Sequence, residues 1–308
     1  MLYVFLFLIP ALSAPFLDEY ILYIFNLIFI FLIITLGYNL VMGFGGQITL
    51  CQGAFAALGA YISAVITIKL GINFWISLPI AAVITTVIGF LIGLPAVRLS
   101  GHYLALVTLG FNTIVEIVAR VWDSMTKGSF GLIVPKPVLP FVDFSKDIHF
   151  FYTNLVITAA LLVIAINLVN SKVGRALTSI RDSEIASASL GISLVKYKTV
   201  AFMLSAFYGA IGGGLYGATI GLITPDDFSL YRVLKLLTMI IVGGLSSIPG
   251  TILGTAVLTI LPEVLRVFKD FEELVYGIIL ILCLKFLPGG LISFLEKTKE
   301  LGLIFRGN

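Results

Sequence analysis

The sequence predicts an all-α polytopic membrane protein with about ten transmembrane helices. The chain has 308 residues, of which 59% are hydrophobic and only 11% are charged, whereas soluble domains average roughly 45–50% apolar and about 25% charged. The apolar residues also lie in long blocks. Several of these blocks reach the roughly 20 residues that a helix needs to cross a bilayer, without one charged side chain.

Ten spans follow from these blocks. They cover approximately residues 2–17, 20–42, 46–68, 74–95, 102–120, 150–169, 200–222, 233–247, 250–266 and 273–292. The first span contains Pro10 and Pro15, and no positive segment precedes it, so we interpret it as a retained span rather than a removed signal peptide. Only residues 246–249 separate the eighth and ninth spans, and the count is nine if those two form one broken helix.

The loop charges predict the orientation of the chain, because short loops rich in Lys and Arg stay on the cytoplasmic side. Residues 170–199 carry five Lys and Arg side chains against one Asp and one Glu, which predicts a cytoplasmic loop over residues 171–199. Ten spans then place both termini in the cytoplasm. Loop 120–149 would be extracytoplasmic although it also carries three Lys side chains, so the charge bias is diluted. We expect one membrane domain over residues 1–308.

Composition excludes several other classes of protein. A net charge of +3 supplies no basic field for nucleic acid. Cys51 and Cys283 are too few for a four-ligand metal site, and we expect neither a metal nor a cofactor. The two histidines, His102 and His149, form no HExxH pair, and no carboxylate dyad lies at the centre of a span. We therefore predict no catalytic residue, and the missing central carboxylates argue against proton coupling.

The 30 glycines form three clusters. The first, residues 43–53, combines glycines with polar side chains, and it supports two open interpretations. It is a broken or re-entrant segment that lines a polar pathway, or it forms ordinary hydrogen bonds between helices. The candidate pathway residues are Asn39, Gly45, Gly46, Gln47, Thr49 and Gln52. The second cluster, 209–221, is typical of close helix packing. The third, 243–250 and Gly254, loosely resembles the first.

Residues 174–191 differ from the rest of the chain. Gly174 and Gly191 bracket a run without proline, which predicts a helix of about 16 residues and roughly 24 Å that Gly191 ends as a C-cap. Leu177, Ile180, Ala188 and Ile192 can share one face of this helix. Such an amphipathic helix docks into a partner's groove or lies on the membrane, and a solvated connector is the alternative interpretation.

This loop and several other segments resemble the branched-chain amino acid ABC transporter permeases of the LivM branch. The loop motifs are GRAL at 174–177, IRDSEIA at 180–186 and LGI at 190–192. Further motifs are GYNL at 37–40, GQITL at 46–50, GAF at 53–55, GAY at 59–61, ALVTL at 105–109, GSFGL at 128–132, PD at 225–226, FS at 228–229 and VGGL at 242–245. The resemblance covers nearly the whole chain in order. It departs at Cys51-Gln52, where relatives often carry Gly-His, so that Gln52 keeps hydrogen bonding without titrating near neutral pH.

The resemblance implies a type II ABC importer permease of the cytoplasmic (inner) membrane that moves leucine, isoleucine or valine by alternating access. Its partners would be the lipid bilayer, a second LivH-like permease, two cytoplasmic ATPases and an extracytoplasmic amino-acid binding protein. The chain has no GxxxxGK[ST] motif, so ATP hydrolysis would belong to the ATPases. The residues that would contact the ATPases are Arg175, Arg181, Asp182, Glu184, Ala186 and Gly191. The alternative is a secondary transporter or channel that works alone.

Overall fold

The computed structural model describes residues 10, 13–99, 101–137, 144 and 147–264, and short stretches between 274 and 293. Within these residues the chain forms eleven α-helices. They are α1 (Glu19–Asn39), α2 (Gln52–Leu70), α3 (Phe74–Ala96), α4 (His102–Val121), α5 (Asp123–Thr126), α6 (Asp147–Asn170), α7 (Lys172–Asp182), α8 (Glu184–Ser189), α9 (Leu194–Ile220), α10 (Leu230–Gly243) and α11 (Ile248–Val264). A π-helical turn, Leu40–Phe44, extends α1, and strands β1 (Leu132–Ile133) and β2 (Leu222–Ile223) form an antiparallel pair.

Six of the described helices are long and apolar enough to cross a membrane, so the all-α polytopic class is confirmed. They are Glu19–Phe44, Gln52–Leu70, Phe74–Ala96, His102–Val121, Asp147–Asn170 and Leu194–Ile220. The predicted span 46–68 starts too early, because α2 begins only at Gln52. The predicted spans 2–17 and 273–292 lie largely outside the described residues, as does Cys283.

The segment after β2 contains two shorter helices rather than one broken helix. Helix α10 has 14 residues and is only about 21 Å long, and α11 has 17 residues. The two pack side by side where glycine faces glycine. A Cβ on Gly243 would lie 2.7 Å from the Gly250 carbonyl carbon and 3.2 Å from Gly254 Cα. This region therefore contains two separate helices, and the number of membrane crossings that it makes stays a prediction.

Helix α9 lies at the centre of the bundle and packs against α1, α2 and α3. Its glycines allow a very close approach to α2. A Cβ on Gly213 would lie 2.6 Å from the Ala56 carbonyl carbon, and one on Gly209 would lie 2.9 Å from Phe55 Cβ. Small residues are the usual packing surface between helices in lipid. The packing interpretation of the cluster at 209–221 is thus confirmed.

The long helices alternate in direction between two ends of the molecule. At one end, the strand end, β1 pairs with β2 and Lys69 Nζ donates to Ser124 O over 2.7 Å. The first turns of α1 and α6 lie there too, since Asn26 Nδ2 donates to Asp147 O. At the opposite end, the loop end, α7 and α8 connect α6 to α9.

Candidate functional site

The chain breaks between α1 and α2, at residues 45–51, which we call the first break. The π-helical turn closes with a bond from Gly45 N to Leu40 O over 3.1 Å, and the chain then runs without regular structure to Gln52. Gly46 has a φ of +65°, which favours glycine. Gln52 Nε2 donates to Ile34 O, about 15 Å back along α1 from Phe44 at 1.5 Å per residue. The chain of the first break therefore runs back alongside α1, as the broken-segment interpretation predicts.

Asn39 and Gln52 hold helices together, which is the behaviour that the second interpretation of the cluster predicts. Asn39 Nδ2 donates to Thr251 Oγ1 over 2.7 Å, and Asn39 Oδ1 accepts from Ser246 N over 3.0 Å. Gln52 donates from Nε2 to Ile34 O over 2.9 Å and accepts at Oε1 from Ser205 Oγ over 2.5 Å. The two interpretations thus apply to different residues of one segment.

Gln47 and Thr49 behave differently, although they too are buried. Both amide atoms of Gln47 and the hydroxyl of Thr49 have no hydrogen-bond partner within the described part of the chain. Gly45 lies beside Gln47, and a Cβ there would lie 3.3 Å from Gln47 Nε2. Because buried polar groups are normally paired, these two side chains have capacity for a solute or for water. The pathway role of all six candidates stays a prediction.

A comparison of Gln52→Ala with Gln47→Ala tests this division. Removing the Gln52 amide leaves the buried Ile34 carbonyl and the Ser205 hydroxyl each with one bond fewer, at a cost of about 1–3 kcal/mol. Removing the unpaired Gln47 amide costs no hydrogen bond. We expect Gln52→Ala to lower the melting temperature of the detergent-solubilised protein clearly, and Gln47→Ala to leave it unchanged. Equal melting temperatures for the two variants would contradict the assignment.

The loop contains two helices, so the prediction of a single helix over 174–191 is wrong. The chain is extended at Ser183, with φ −161° and ψ 112°, and Ser183 Oγ caps α8 by accepting from Ala186 N. Gly174 lies inside α7, which begins at Lys172. The missing side chain of Gly174 lets α7 pack against the backbone of Val169. The C-cap at Gly191 is confirmed: its φ is +80° and Ile192 N donates to Ser187 O, as in a Schellman motif.

The apolar face of the loop also differs from the predicted one. Leu177 and Ile180 of α7 are buried against the bundle, whereas Ala188 is exposed. Ile185 of α8 and Leu190, directly after α8, project from the loop instead and are 84% and 79% exposed. These two side chains form an apolar tip at the loop end.

Arg181 joins the loop to both glycine-rich segments. Its Nη1 donates to the hydroxyl of Ser246, in the turn between α10 and α11, and lies 3.5 Å from Gly43 O in the π-helical turn. Its side chain covers Gly46, where a Cβ would lie 2.6 Å from Arg181 Cγ. The Arg181 guanidinium also pairs with Asp182 over 2.9 Å. One side chain therefore contacts α7, the start of the first break and the α10–α11 turn.

The other predicted contact residues are exposed, in part or fully. Glu184 accepts from the buried Lys198 Nζ over 2.7 Å, which ties α8 to α9. Arg175 Nη1 donates to Asn170 O over 2.9 Å. Ala186 is exposed at the loop end. Contact of any of these residues with an ATPase stays a prediction.

Sequence reasoning missed one cluster, formed by Tyr216, Asp227 and Arg232, which we call the Asp227 cluster. Tyr216 OH donates to Asp227 Oδ1 over 2.8 Å, and Arg232 Nη2 lies 3.5 Å from the same oxygen. Arg232 also lies over the ring of Phe31, 5.6 Å from its centroid. Hydropathy does not reveal this cluster, because it places the polar residues between two spans in loops outside the bilayer.

The chain places this cluster inside the bundle by turning inward after β2. The turn Pro225–Phe228 inserts so that Phe228 O accepts from Asn112 Nδ2 over 3.3 Å. Asn112 lies about 13 Å along α4 from its end at Val121, at 1.5 Å per residue. Asp226 stays outside, 78% exposed and paired with Arg120, while Asp227 points inward. A sequence signal existed: the predicted span 233–247 has only 15 residues, fewer than the roughly 20 that a crossing needs, and Arg232 directly precedes it.

Comparison of the sequence with known proteins identifies a family and several relatives. A family model described as branched-chain amino acid transport system / permease component matches residues 20–284. The high-affinity branched-chain amino acid transport system permease protein LivM of Salmonella typhimurium is 32% identical, over 88% of this chain and 70% of its own length. LivM of Escherichia coli is also 32% identical, over 90% of this chain and 71% of its own.

The related LivH proteins match as well, with lower identity. The permease protein LivH of Escherichia coli is 26% identical over 87% of this chain and 92% of its own length. No solved structure matches the chain.

Proposed function

Because the chain belongs to the branched-chain amino acid transport system permease family, we propose that it is the membrane-spanning permease subunit of an ABC importer for leucine, isoleucine or valine. The family match over residues 20–284 carries the proposal. The identity to the LivM proteins, higher than that to LivH, supports assignment to the LivM side of such a transporter. The six apolar helices supply the membrane-spanning body that this role needs.

We propose that the chain lies in the cytoplasmic (inner) membrane, with the loop end and both termini on its cytoplasmic side. The basic residues of the loop support this orientation. The partners are a second, LivH-like permease, two cytoplasmic ATPases below the loop end and an extracytoplasmic amino-acid binding protein at the strand end. ATP hydrolysis belongs to the ATPases, since the chain carries no phosphate-binding glycine loop.

The geometry suggests how the ATPases drive transport. The apolar tip of α8, Ile185 and Leu190, is shaped to enter a groove on an ATPase, as amphipathic helices do. Movement of α7 then reaches the first break and the α10–α11 turn through Arg181. Transport follows if the ATPases bind one of two conformations of the permease more tightly than the other, because a partner shifts an equilibrium only by its differential affinity.

Reconstitution tests this function against the alternative of a carrier that works alone. The chain would be purified in mild detergent with its associated subunits and inserted into liposomes. We expect uptake of tritiated leucine that requires ATP and the binding protein and that persists when ionophores collapse the ion gradients. Uptake by the isolated chain, or uptake that stops with the ion gradient, would overturn the proposal.

Substituting the apolar tip tests the docking step. Ile185→Glu places a carboxylate where we expect an apolar groove, and burying an unpaired charge costs several kcal/mol. We expect ATP-driven uptake to fall at least about tenfold and the ATPases to dissociate during purification. Leu70→Glu is the control for retention of the ATPases, since Leu70 is 67% exposed at the strand end, opposite the loop end. Retention of the ATPases by the Ile185 variant would contradict the docking model.

A further inference from the structure

We propose that the Asp227 cluster binds the charged backbone of the transported amino acid, with Arg232 holding the carboxylate and Asp227 the ammonium group. This inference rests on the proposed function, and it names the substrate-binding residues of that function. The side chains of Asp227 and Arg232 are only 20% and 25% exposed, and partly buried charges of opposite sign in a membrane protein are costly and usually mark a solute or ion pathway. A zwitterion is the solute that such a pair matches.

The pocket at this cluster is lined by Tyr216, Asp227 and Arg232 and by the apolar side chains of Phe31, Ile34 and Leu236. The polar atoms of the first three bond to one another rather than facing the cavity. Its volume is about 10 Å³, which is close to the minimum that one water molecule needs. The structure therefore shows the pocket closed, and an amino acid enters only when α10 and the inward turn move away from α1 and α2.

The carboxylate side of the pocket is built from donors. The Nε and Nη2 atoms of Arg232 have partners, at Asp227 O and Tyr216 OH. Among the described residues, no acceptor bonds to its Nη1. A guanidinium binds a carboxylate through two parallel bonds. Arg232 also lies in the first turn of α10, where the helix dipole favours an anion.

A second helix start, that of α2, meets the same pocket. Gly53 of the first turn of α2 lines it, and a Cβ there would lie 3.0 Å from Phe228 O and 2.8 Å from Asn112 Oδ1. Asn112 is 1% exposed and its Oδ1 has no partner in the described chain. The starts of two interrupted helices thus converge on the pocket, an arrangement that suits an anionic group, whereas the unused acceptor of Asn112 beside them suits an ammonium group.

The ammonium side is Asp227. Its Oδ2 accepts from Thr224 N and Thr224 Oγ1 over 2.9 and 2.8 Å, which fixes the carboxylate in place. Its Oδ1 accepts from Tyr216 OH, while the contact to Arg232 Nη2 is long at 3.5 Å. A bound ammonium group would take the place of that weak contact and leave Arg232 free to hold the carboxylate. Phe31, Ile34 and Leu236 would then surround the branched side chain.

Binding measurements on the purified complex of permease and ATPase subunits, without the binding protein, test the assignment. The probes are tritiated leucine and two competitors, 4-methylpentanoate, which lacks the ammonium group, and 3-methylbutylamine, which lacks the carboxylate. We expect Asp227→Asn and Arg232→Lys each to weaken leucine binding about tenfold to a hundredfold, the range for a lost charged hydrogen bond. Asp227→Asn should disfavour 4-methylpentanoate less than the original protein does, and Arg232→Lys, which keeps its charge but loses the two-bond geometry, should disfavour 3-methylbutylamine less.

Asp226→Asn is the matched control, because Asp226 is the neighbouring carboxylate but faces outward. It should bind leucine like the original protein. If Asp227→Asn and Arg232→Lys weaken leucine and both competitors by one common factor, or bind like the control, the inference is wrong. A complex that neither binds nor transports leucine before any substitution instead contradicts the proposed function.

A third variant keeps the test decisive if the charged-residue variants do not assemble. Leu236→Ala shortens a side chain of the apolar wall and so enlarges the pocket without changing its charges. We therefore expect the preference for leucine over phenylalanine to fall about tenfold. An unchanged preference in a complex that still binds leucine would overturn the inference.

Discussion

Gly213→Ala is expected to prevent the bundle from folding. A Cβ on Gly213 would lie 2.6 Å from the Ala56 carbonyl carbon and nearer still to its oxygen, so it meets backbone rather than a movable side chain. Helices α9 and α2 must therefore separate. Overpacking of this kind costs typically 1–3 kcal/mol and occasionally more, and in lipid the lost contacts are those that hold helices together. Since α9 packs against three long helices, the damage spreads through the bundle.

The measurement is the yield of monodisperse protein on size-exclusion chromatography of a fluorescent fusion, followed by its melting temperature. Gly110→Ala is the matched control. Gly110 lies in the membrane helix α4, and a Cβ there would meet nothing within 4 Å. We expect the control to keep its yield and Gly213→Ala to lose most of it. Equal yields would mean that α9 and α2 do not pack as closely as described.

Much of the fold was predictable from the sequence because hydropathy reports directly on the bilayer. Spans 20–42, 74–95, 102–120, 150–169 and 200–222 match helices to within a few residues at most ends. The start of α9 is the largest error among these five, since it begins at Leu194 rather than at 200; the start of α2 differs from its prediction by as much. The polar residues Lys196 and Lys198 in the first turns of α9 hid its true start from a criterion that counts apolar residues.

Breaks in the helices were harder to predict than spans. The glycines of the first break indicated an interruption, and Gly191 indicated a helix end. Gly46 and Gly191 both have a positive φ, which glycine adopts readily. Ser183 gave no comparable signal. Its neighbours favour a helix, and the interruption is visible only because Ser183 caps α8.

The roles of the polar side chains depend on contacts between distant parts of the chain. Arg181 contacts Gly43 and Ser246, and Asn39 contacts Thr251, so no local pattern could reveal their partners. Asp227 shows the same limit more strongly. It follows an exposed aspartate, and only the inward turn of the chain distinguishes the partly buried carboxylate from its neighbour.

Arg181→Ala is expected to separate ATP hydrolysis from transport. The Arg181 guanidinium forms hydrogen bonds from α7 to both Gly43 O in the π-helical turn and Ser246 of the α10–α11 turn. Hydrogen bonds from a charged donor contribute about 1.5–3 kcal/mol, which is the size of a typical coupling free energy between two sites. Losing them should lower the amount of leucine taken up per ATP hydrolysed about tenfold, while the ATPases still bind and hydrolyse ATP.

Arg175→Ala is the matched control, because it removes the same residue type from the same helix. Arg175 donates to Asn170 O, at the junction of α6 and α7, rather than to either glycine-rich segment. If Arg175 contacts an ATPase, its loss weakens docking, so that uptake and hydrolysis fall together and their ratio stays constant. Reconstituted transporters would give both rates in one preparation. A ratio that is unchanged in the Arg181 variant, or that falls equally in both variants, would show that force reaches the membrane helices by another route than this side chain.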